Sequence, residues 1–236
     1  LFDSICDRER CPYAILGEAT EVRELVVDDP LLNTKGDAQP VDMPMQVLLG
    51  GTPKMQRAFK RTEPNLRPLR LDSVNLTQAV KDVLRHPTVA SKSFLISIGD
   101  RSITGMIVRD QYVGRYQVPV ADCAVTASAL VALDGQPMTG EAMSMGERTP
   151  VALINPSASA RLAVAEAITN IAGANIAKLS DITLSANWMA ATGEDKEDQA
   201  LYEGVMAVGE ALCPALGIAI PVGKDSLSMR ANWTDE

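Results

Sequence analysis

The sequence predicts an α+β fold in which a β-sheet carries helices packed on one face. Two observations support this class. β-rich runs come first in pairs, and later runs alternate with segments of helical periodicity. At 236 residues the chain is long enough to bury a core, and it could hold one large domain or one domain with pieces of others.

The first forty residues are predicted to be the tail of a preceding α/β domain. An apolar run over residues 11–18 predicts a strand, and Glu24–Val27 is its candidate hairpin partner before a turn at Asp28 to Pro30. Two strands alone do not make a core. We therefore expect that residues 1–40 do not fold independently.

The next segment is predicted to be a connector that lies on a surface and leads into a helix. Residues 41–72 carry several prolines, a Gly50-Gly51 pair and many charges. Helical periodicity begins after Asp72, a candidate N-cap, and stops at Pro87.

From residue 87 the pattern predicts a compact domain. Ser93–Ile98 and Ile103–Val108 are predicted to form a hairpin whose turn is Gly99 to Ser102. Two helices are predicted, over residues 157–174 and 198–212. The remaining strand candidates are Val118–Thr126, Val151–Asn155, Ile182–Ala186 and Ile218–Val222.

Composition excludes several classes of function. With 22 basic and 30 acidic residues the chain is acidic, which argues against nonspecific binding to nucleic acid or to an anionic membrane surface. No run approaches the roughly 18 apolar residues of a membrane span, and the N-terminal residues lack the pattern of a signal peptide. The four cysteines lack the paired spacing of a zinc site. These features predict a cytoplasmic chain with reduced thiols.

The histidine count restricts the chemistry further. His86 is the only histidine, and it stands directly before Pro87 in a helix-ending context. A Ser-His-Asp or Cys-His triad could use no other residue, and the single histidine argues against a histidine-rich transition-metal site. Carboxylates and amides remain as metal ligands, and these favour Mg²⁺.

One helix carries a polar pair that could serve such a site. Glu166 and Asn170 are four residues apart and point the same way, opposite a core-facing stripe of Val164, Ile168 and Ile171. Around the pair stand Ala163 and Ala167, whose small side chains would admit a ligand or another chain segment. The alternative is an ordinary solvated face.

Three further positions could carry chemistry. Asp122 interrupts an apolar run, where an isolated buried carboxylate is costly unless it is paired, hydrogen-bonded or metal-bound. Gly223-Lys224-Asp225-Ser226 follows the last strand candidate, a suitable place for phosphate and magnesium, although it is not a Walker P-loop. Lys92 precedes Ser93–Ile98. Each has a structural alternative. Asp122 could accept backbone N–H groups, residues 223–226 could form a plain turn, and Lys92 could be a solvated charge at a strand edge.

These fragments occur together in one known family. The chain closely resembles phosphoribosylformylglycinamidine synthase in its large, single-chain form, and the match is collinear over nearly the whole sequence. The strings that carry the resemblance span residues 14–20, 47–55, 118–126, 140–148, 158–170, 184–189 and 221–226.

The resemblance implies a domain organisation. The synthetase core of that family contains two tandem units similar to aminoimidazole ribonucleotide synthetase, and the chain would cross their junction. Residues 1–40 would end the first unit, and 41–86 would be the connector and leading helix. Residues 87–236 would be the nucleotide-binding, N-terminal domain of the second unit. The remaining synthetase and glutaminase domains of the same polypeptide would be its partners, with small-molecule substrates.

The resemblance also implies site residues. It assigns magnesium ligation to Asp122, Glu166, Asn170 and Asp225. It places Ala121, Lys92, Ser226 and Ser228 near a bound ATP or ADP. The implied activity is ATP-dependent conversion of formylglycinamide ribonucleotide and glutamine to the amidine. Two alternatives stay open: a non-catalytic scaffold that retains Mg-ADP, and another synthetase or kinase of the same superfamily.

Overall fold

A computed structural model describes residues 1–31, 39–51, 54, 56–100, 102–118, 120–132 and 134–234. The chain divides into two compact units, Leu1–Gln56 and Arg57–Glu236, so the division falls inside the predicted connector. Pro53 in that connector and Arg101 in the predicted hairpin turn lie outside the described residues. The predicted domain boundaries at residues 40 and 86 stay a prediction.

In the described residues of the first unit, two helices and one antiparallel strand pair are present. Helix α1 spans Phe2–Glu9, strand β1 spans Glu24–Val27, strand β2 spans Val41–Pro44 and helix α2 spans Met45–Leu49. β1 and β2 are antiparallel, with Glu24 opposite Pro44 and Val27 opposite Val41.

The predicted strand over residues 11–18 is wrong, because this run has no regular secondary structure. Pro12 supplies no backbone N–H for a ladder. Tyr13 instead contacts α1: its hydroxyl donates to the Asp3 carboxylate at 2.7 Å, and its ring meets Phe2 edge to face. The partner of β1 is therefore the more distant β2 rather than this run.

The described part of the second unit has five strands in two sheets. Strands β3 (Ile107–Arg109), β4 (Cys123–Ala127) and β5 (Gly140–Ser144) form an antiparallel sheet in that order. Strands β6 (Thr183–Met189) and β7 (Ala219–Ser226) form a parallel pair. The last two confirm the strand predictions over residues 182–186 and 218–222, and β4 begins later than the predicted Val118.

Six helices of this unit are described: α3 (Leu76–Arg85), α4 (Ser93–Ile98), α5 (Thr149–Ala152), α6 (Pro156–Ile171), α7 (Asp195–Met206) and α8 (Cys213–Leu216). A π-helical turn over Ala207–Leu212 joins the last two. The α6 prediction is confirmed, since Asn155 caps its start by accepting the Ala158 N–H at 2.9 Å and Pro156 follows. The cap of α3 is Asn75 rather than the predicted Asp72. No helix in the described part of the chain is long and apolar enough to cross a membrane.

The core lies between the helices and one face of the parallel sheet. Val164 of α6 and Val208 are buried together, and Leu184, Trp188 and Ile220 of the sheet pack against them. Buried Gly204 of α7 admits the Trp188 ring, which would lie 3.6 Å from an added Cβ. Alternate residues of β6 are exposed on the opposite face. The predicted α+β class, with helices on one face of a sheet, is confirmed.

Two predicted strands are wrong: one is a helix, and the other is the end of a helix followed by a turn. Ser93–Ile98 forms α4, where the Ser97 hydroxyl and the Tyr112 hydroxyl both donate to the Ser93 carbonyl at 2.9 Å. The predicted strand at Val151–Asn155 begins inside α5, whose first turn contains Pro150, and ends at the cap of α6. In both places local hydrogen bonding and capping outweigh the β propensity of the apolar residues.

Candidate functional site

The clearest candidate site is the polar face of α6 and the segment 145–148 that crosses it. Residue 146 lies so close to the helix that an added Cβ would overlap the Ala163 carbonyl oxygen and lie 2.6 Å from the Ala167 amide nitrogen. Only glycine permits this approach. The small residues Ala163 and Ala167 therefore admit another chain segment, as one of the two interpretations of the sequence predicted.

Glu166 and Asn170 both bind this segment. The Glu166 carboxylate accepts the Glu147 N–H at 2.9 Å and pairs with the Arg148 guanidinium at 2.9 Å. One turn later, the Asn170 amide donates to the Met145 carbonyl at 2.9 Å. The Glu166 side chain is one-quarter exposed, 25%, so these contacts are partly shielded from water. The polar pair of α6 thus holds the segment 145–148 in place.

The segment is held from other sides as well. Ser159 donates its hydroxyl to the Arg148 carbonyl at 2.7 Å, and Ser144 donates to the Ala167 carbonyl at 2.7 Å. The Glu147 carboxylate accepts the Thr149 N–H at 2.9 Å. Hydrogen bonds from Thr149, first from its side chain and then from its backbone, hold the pKa of the Glu147 carboxyl below its usual value. These contacts hold the segment against α6, and the polar face of α6 together with the segment 145–148 is called here the α6 wall.

Asp122 lies near one end of this wall. It is exposed and precedes Cys123, which pairs with Ser144 at the end of β5, the residue before Met145. Its neighbour Ala121 donates its N–H to the Gln111 carbonyl at 2.8 Å. The pairing of β4 with β5 thus places Asp122 beside the start of the segment that Asn170 binds.

The other predicted site residues lie on different elements. Asp225 is exposed on β7 opposite Trp188, and Ser226 pairs with Met189. Ser228 forms an isolated bridge with Ala191. Lys92 precedes α4 and donates its ammonium to the Ala90 carbonyl at 2.6 Å.

The four predicted metal ligands have suitable chemistry, because carboxylate and amide oxygens are the ligands that Mg²⁺ prefers. In the part of the chain that the structure describes, no three histidine, cysteine or acidic residues form a group that could hold a metal ion. Glu166 is already compensated by Arg148. The metal assignment therefore stays a prediction, and no chemical step is derived from it.

A cavity of about 390 Å³ lies beside the wall, between β5, α6 and β6. Ala163, Ala167 and Met145 line it from the side of the wall, and Leu184, Ala186 and Trp188 line it from β6. Its lining is mainly apolar, so it would bind a ligand by fit and by exclusion of water rather than by charge.

Sequence reasoning missed the residues that complete the wall, Gly146, Glu147 and Arg148. The available signal was a Gly-Glu-Arg tripeptide directly after a strand, within the string 140–148 that carries the resemblance. Their importance comes from contacts with a helix about twenty residues later, which a local pattern does not reveal.

A comparison with protein families bears directly on this unit. A family model described as FGAR-AT PurM_N-like domain matches residues 91–236, more than half of the chain. The chain belongs to this family. The FGAR-AT PurM_N-like match contains both sheets of the second unit, the α6 wall and all eight predicted site residues, with Lys92 near its start. Membership is consistent with a synthetase function in purine biosynthesis.

Proposed function

We propose that this chain is the nucleotide-binding part of the large, single-chain form of phosphoribosylformylglycinamidine synthase. The observation that carries the proposal is the FGAR-AT PurM_N-like match over residues 91–236, the stretch that contains the α6 wall. The collinear resemblance upstream of residue 91 supports the single-chain form. The proposal also includes a cytoplasmic location and the remaining synthetase and glutaminase domains of the same polypeptide as partners.

The proposed reaction is an ATP-dependent ligation. Formylglycinamide ribonucleotide, ATP, glutamine and water give the amidine, ADP, phosphate and glutamate. ATP would phosphorylate the amide oxygen to give an iminophosphate, and ammonia released from glutamine by hydrolysis would then displace phosphate. The intact enzyme, rather than this chain alone, is the species to which we assign turnover.

The proposed ligand set is the one that the resemblance implies. Asp122, Glu166, Asn170 and Asp225 would hold magnesium, and Ala121, Lys92, Ser226 and Ser228 would lie near ATP or ADP. Three carboxylates and an amide suit Mg²⁺, and bound metal would offset phosphate charge next to an acidic protein. The position of Asp122 beside the wall formed by Glu166 and Asn170 supports three of the four ligands.

A second candidate function is a scaffold that retains Mg-ADP without turning it over. Glu166 and Asn170 both bind the chain's own segment 145–148, and Arg148 neutralises Glu166. Because both side chains already hold this segment in place, a structural role is favoured over a catalytic one.

Variants of the full-length enzyme separate the two candidates. We expect Glu166→Ala and Asp225→Ala to abolish amidine formation per folded enzyme if this site turns over. If the nucleotide is structural, the same variants lose copurified nucleotide and melt earlier, whereas the kcat of the folded fraction is kept. Wild-type nucleotide retention and turnover in both variants would contradict the site assignment under either function.

A further inference from the structure

The outward face of α7 carries a stripe of polar side chains that contacts another segment of the chain. Its members recur at intervals of three and four residues, so they lie on one side of the helix. They are Asp195, Asp198, Gln199, Tyr202 and Glu203. The opposite side of α7 is used for the core, since Gly204 packs near Trp188. A second segment of the chain, residues 57–62, lies along the polar stripe.

Backbone groups of this segment are recognised directly. The Gln199 side-chain oxygen accepts the Thr62 N–H at 2.8 Å, and its amide nitrogen donates to the Thr62 carbonyl at 3.2 Å. One side-chain amide thus satisfies both backbone groups of one residue, as a neighbouring strand would. Asp195 accepts the Lys60 N–H at 3.3 Å. The Gln199 amide is itself oriented, because it also donates to Glu203 at 2.9 Å.

Side chains of the segment complement the stripe in charge and shape. Arg57 lies 4.0 Å from Asp198, whose side chain is only 10% exposed, and Arg61 lies 3.9 Å from Glu203. The Phe59 and Tyr202 rings meet with centroids 5.7 Å apart. Basic residues therefore face acidic ones on both sides of an aromatic contact.

We propose that the outward face of α7 is a docking surface whose occupant is the chain's own segment 57–62, called here the docking arm. The docking arm precedes the family match, which begins at residue 91, so it extends this unit beyond that match. Because the bonds are few and partly exposed, the docking arm can detach without unfolding the core.

Hydrogen exchange of the full chain tests the docking arm. We expect the Thr62 and Lys60 amides to be protected in the wild type. Gln199→Leu should raise the exchange rate of the Thr62 amide by about tenfold or more, because it removes both hydrogen bonds to the Thr62 backbone, while α6 amides stay protected. Gln78→Leu is the matched control: it makes the same chemical change on α3, where Gln78 bonds Asp82. The control should leave residues 57–62 unchanged.

Trypsin gives a second measurement on the same proteins. Cleavage after Arg57, Lys60 and Arg61 requires an accessible extended chain, so Gln199→Leu should be cut there several-fold faster than the wild type or Gln78→Leu. Raising NaCl from 0.05 to 1 M should also speed this cleavage in the wild type, because the ion pairs are screened. If Gln199→Leu does not fold, the salt series decides. The proposal would be overturned if the Lys60 and Thr62 amides were unprotected in the wild type. It would also be overturned if the rate of trypsin cleavage changed neither with salt nor in Gln199→Leu.

Discussion

The two strand pairs that stand at opposite ends of the chain differ in what covers them. β6 and β7 are packed on one face by α6 and the residues around Val208. β1 and β2 are paired over four residues, yet every β1 residue is exposed, and Cys6 is the one buried residue among the described part of residues 1–56. The difference shows that strand pairing is not sufficient for a core, and that a covered face provides it.

Val208→Asp should cause the largest loss of stability, because it disrupts the covered face of the β6–β7 pair. Val208 is 2% exposed within the core cluster, so the substitution would bury an unpaired carboxylate. We expect the free energy of unfolding to fall by about 3 kcal/mol or more. Urea denaturation of the full chain measures it.

Val205→Asp is the matched control, because Val205 lies one turn earlier and is 40% exposed. It should cost less than about 1 kcal/mol. Equal losses in the two variants would mean that Val208 does not lie in the core described here.

Gly146→Ala should have the second-largest effect, because it separates the segment 145–148 from α6. The new methyl group would meet backbone atoms of Ala163 and Ala167, which cannot move without bending the helix. We expect a loss of about 1–3 kcal/mol in the free energy of unfolding. Gly209→Ala, where an added Cβ has no neighbour within 4 Å, should be neutral or slightly stabilising. A silent Gly146→Ala would contradict the close contact.

Residues 1–40 should show no cooperative transition as an isolated peptide. Tyr13 contacts Asp3 and Phe2 at the surface, and every residue of β1 is exposed. Thermal or urea melting followed by circular dichroism should give a gradual, non-sigmoidal curve. A sigmoidal transition with a protein-like m-value would break the contrast between the two units.

The parts of the fold that the sequence predicted correctly are those with local signals. Asn155, Pro156 and the stripe through Val164 lie within one helix, so capping and periodicity were enough to predict α6. Ser93–Ile98 was misjudged because its apolar and β-branched residues favour a strand, whereas a bond from Tyr112, nineteen residues away in sequence, supports the helix. β2 was not predicted as the partner of β1 because that pairing is also non-local.

The candidate site divides in the same way. Helical spacing predicted that Glu166 and Asn170 point together, and the small residues beside them predicted a close neighbour. It did not identify Arg148 as the partner of Glu166, because that contact depends on how β5 leads into α6. Asp225 was a candidate from its place after the last predicted strand, and the resemblance assigned it and Lys92 to the site. The structure places both on other elements, so their role stays a prediction.

Glu147→Gln should have the smallest effect on stability, and this effect should appear only as the pH is lowered. The pKa of Glu147 is lowered in the folded chain, so the ionised form adds stability above its ordinary pKa, and this stability is lost as the pH falls through the lowered value. The variant should therefore lose less stability than the wild type between pH 6 and pH 3, measured as urea midpoints. Thr149→Val should reproduce part of this change. A variant with the full acid sensitivity of the wild type would contradict the Thr149 contact.

Nucleotide binding at the α6 wall can be tested by the melting temperature of the full chain with magnesium and ADP. If the wall binds nucleotide, both ligands together raise the melting temperature by more than either alone, and the shift grows with ligand concentration. Glu166→Ala should remove most of this increment, whatever its effect without ligand, while Glu210→Ala, an exposed position in the π-helical turn, should keep it. No shift in the wild type, or an unchanged increment in Glu166→Ala, would contradict the account.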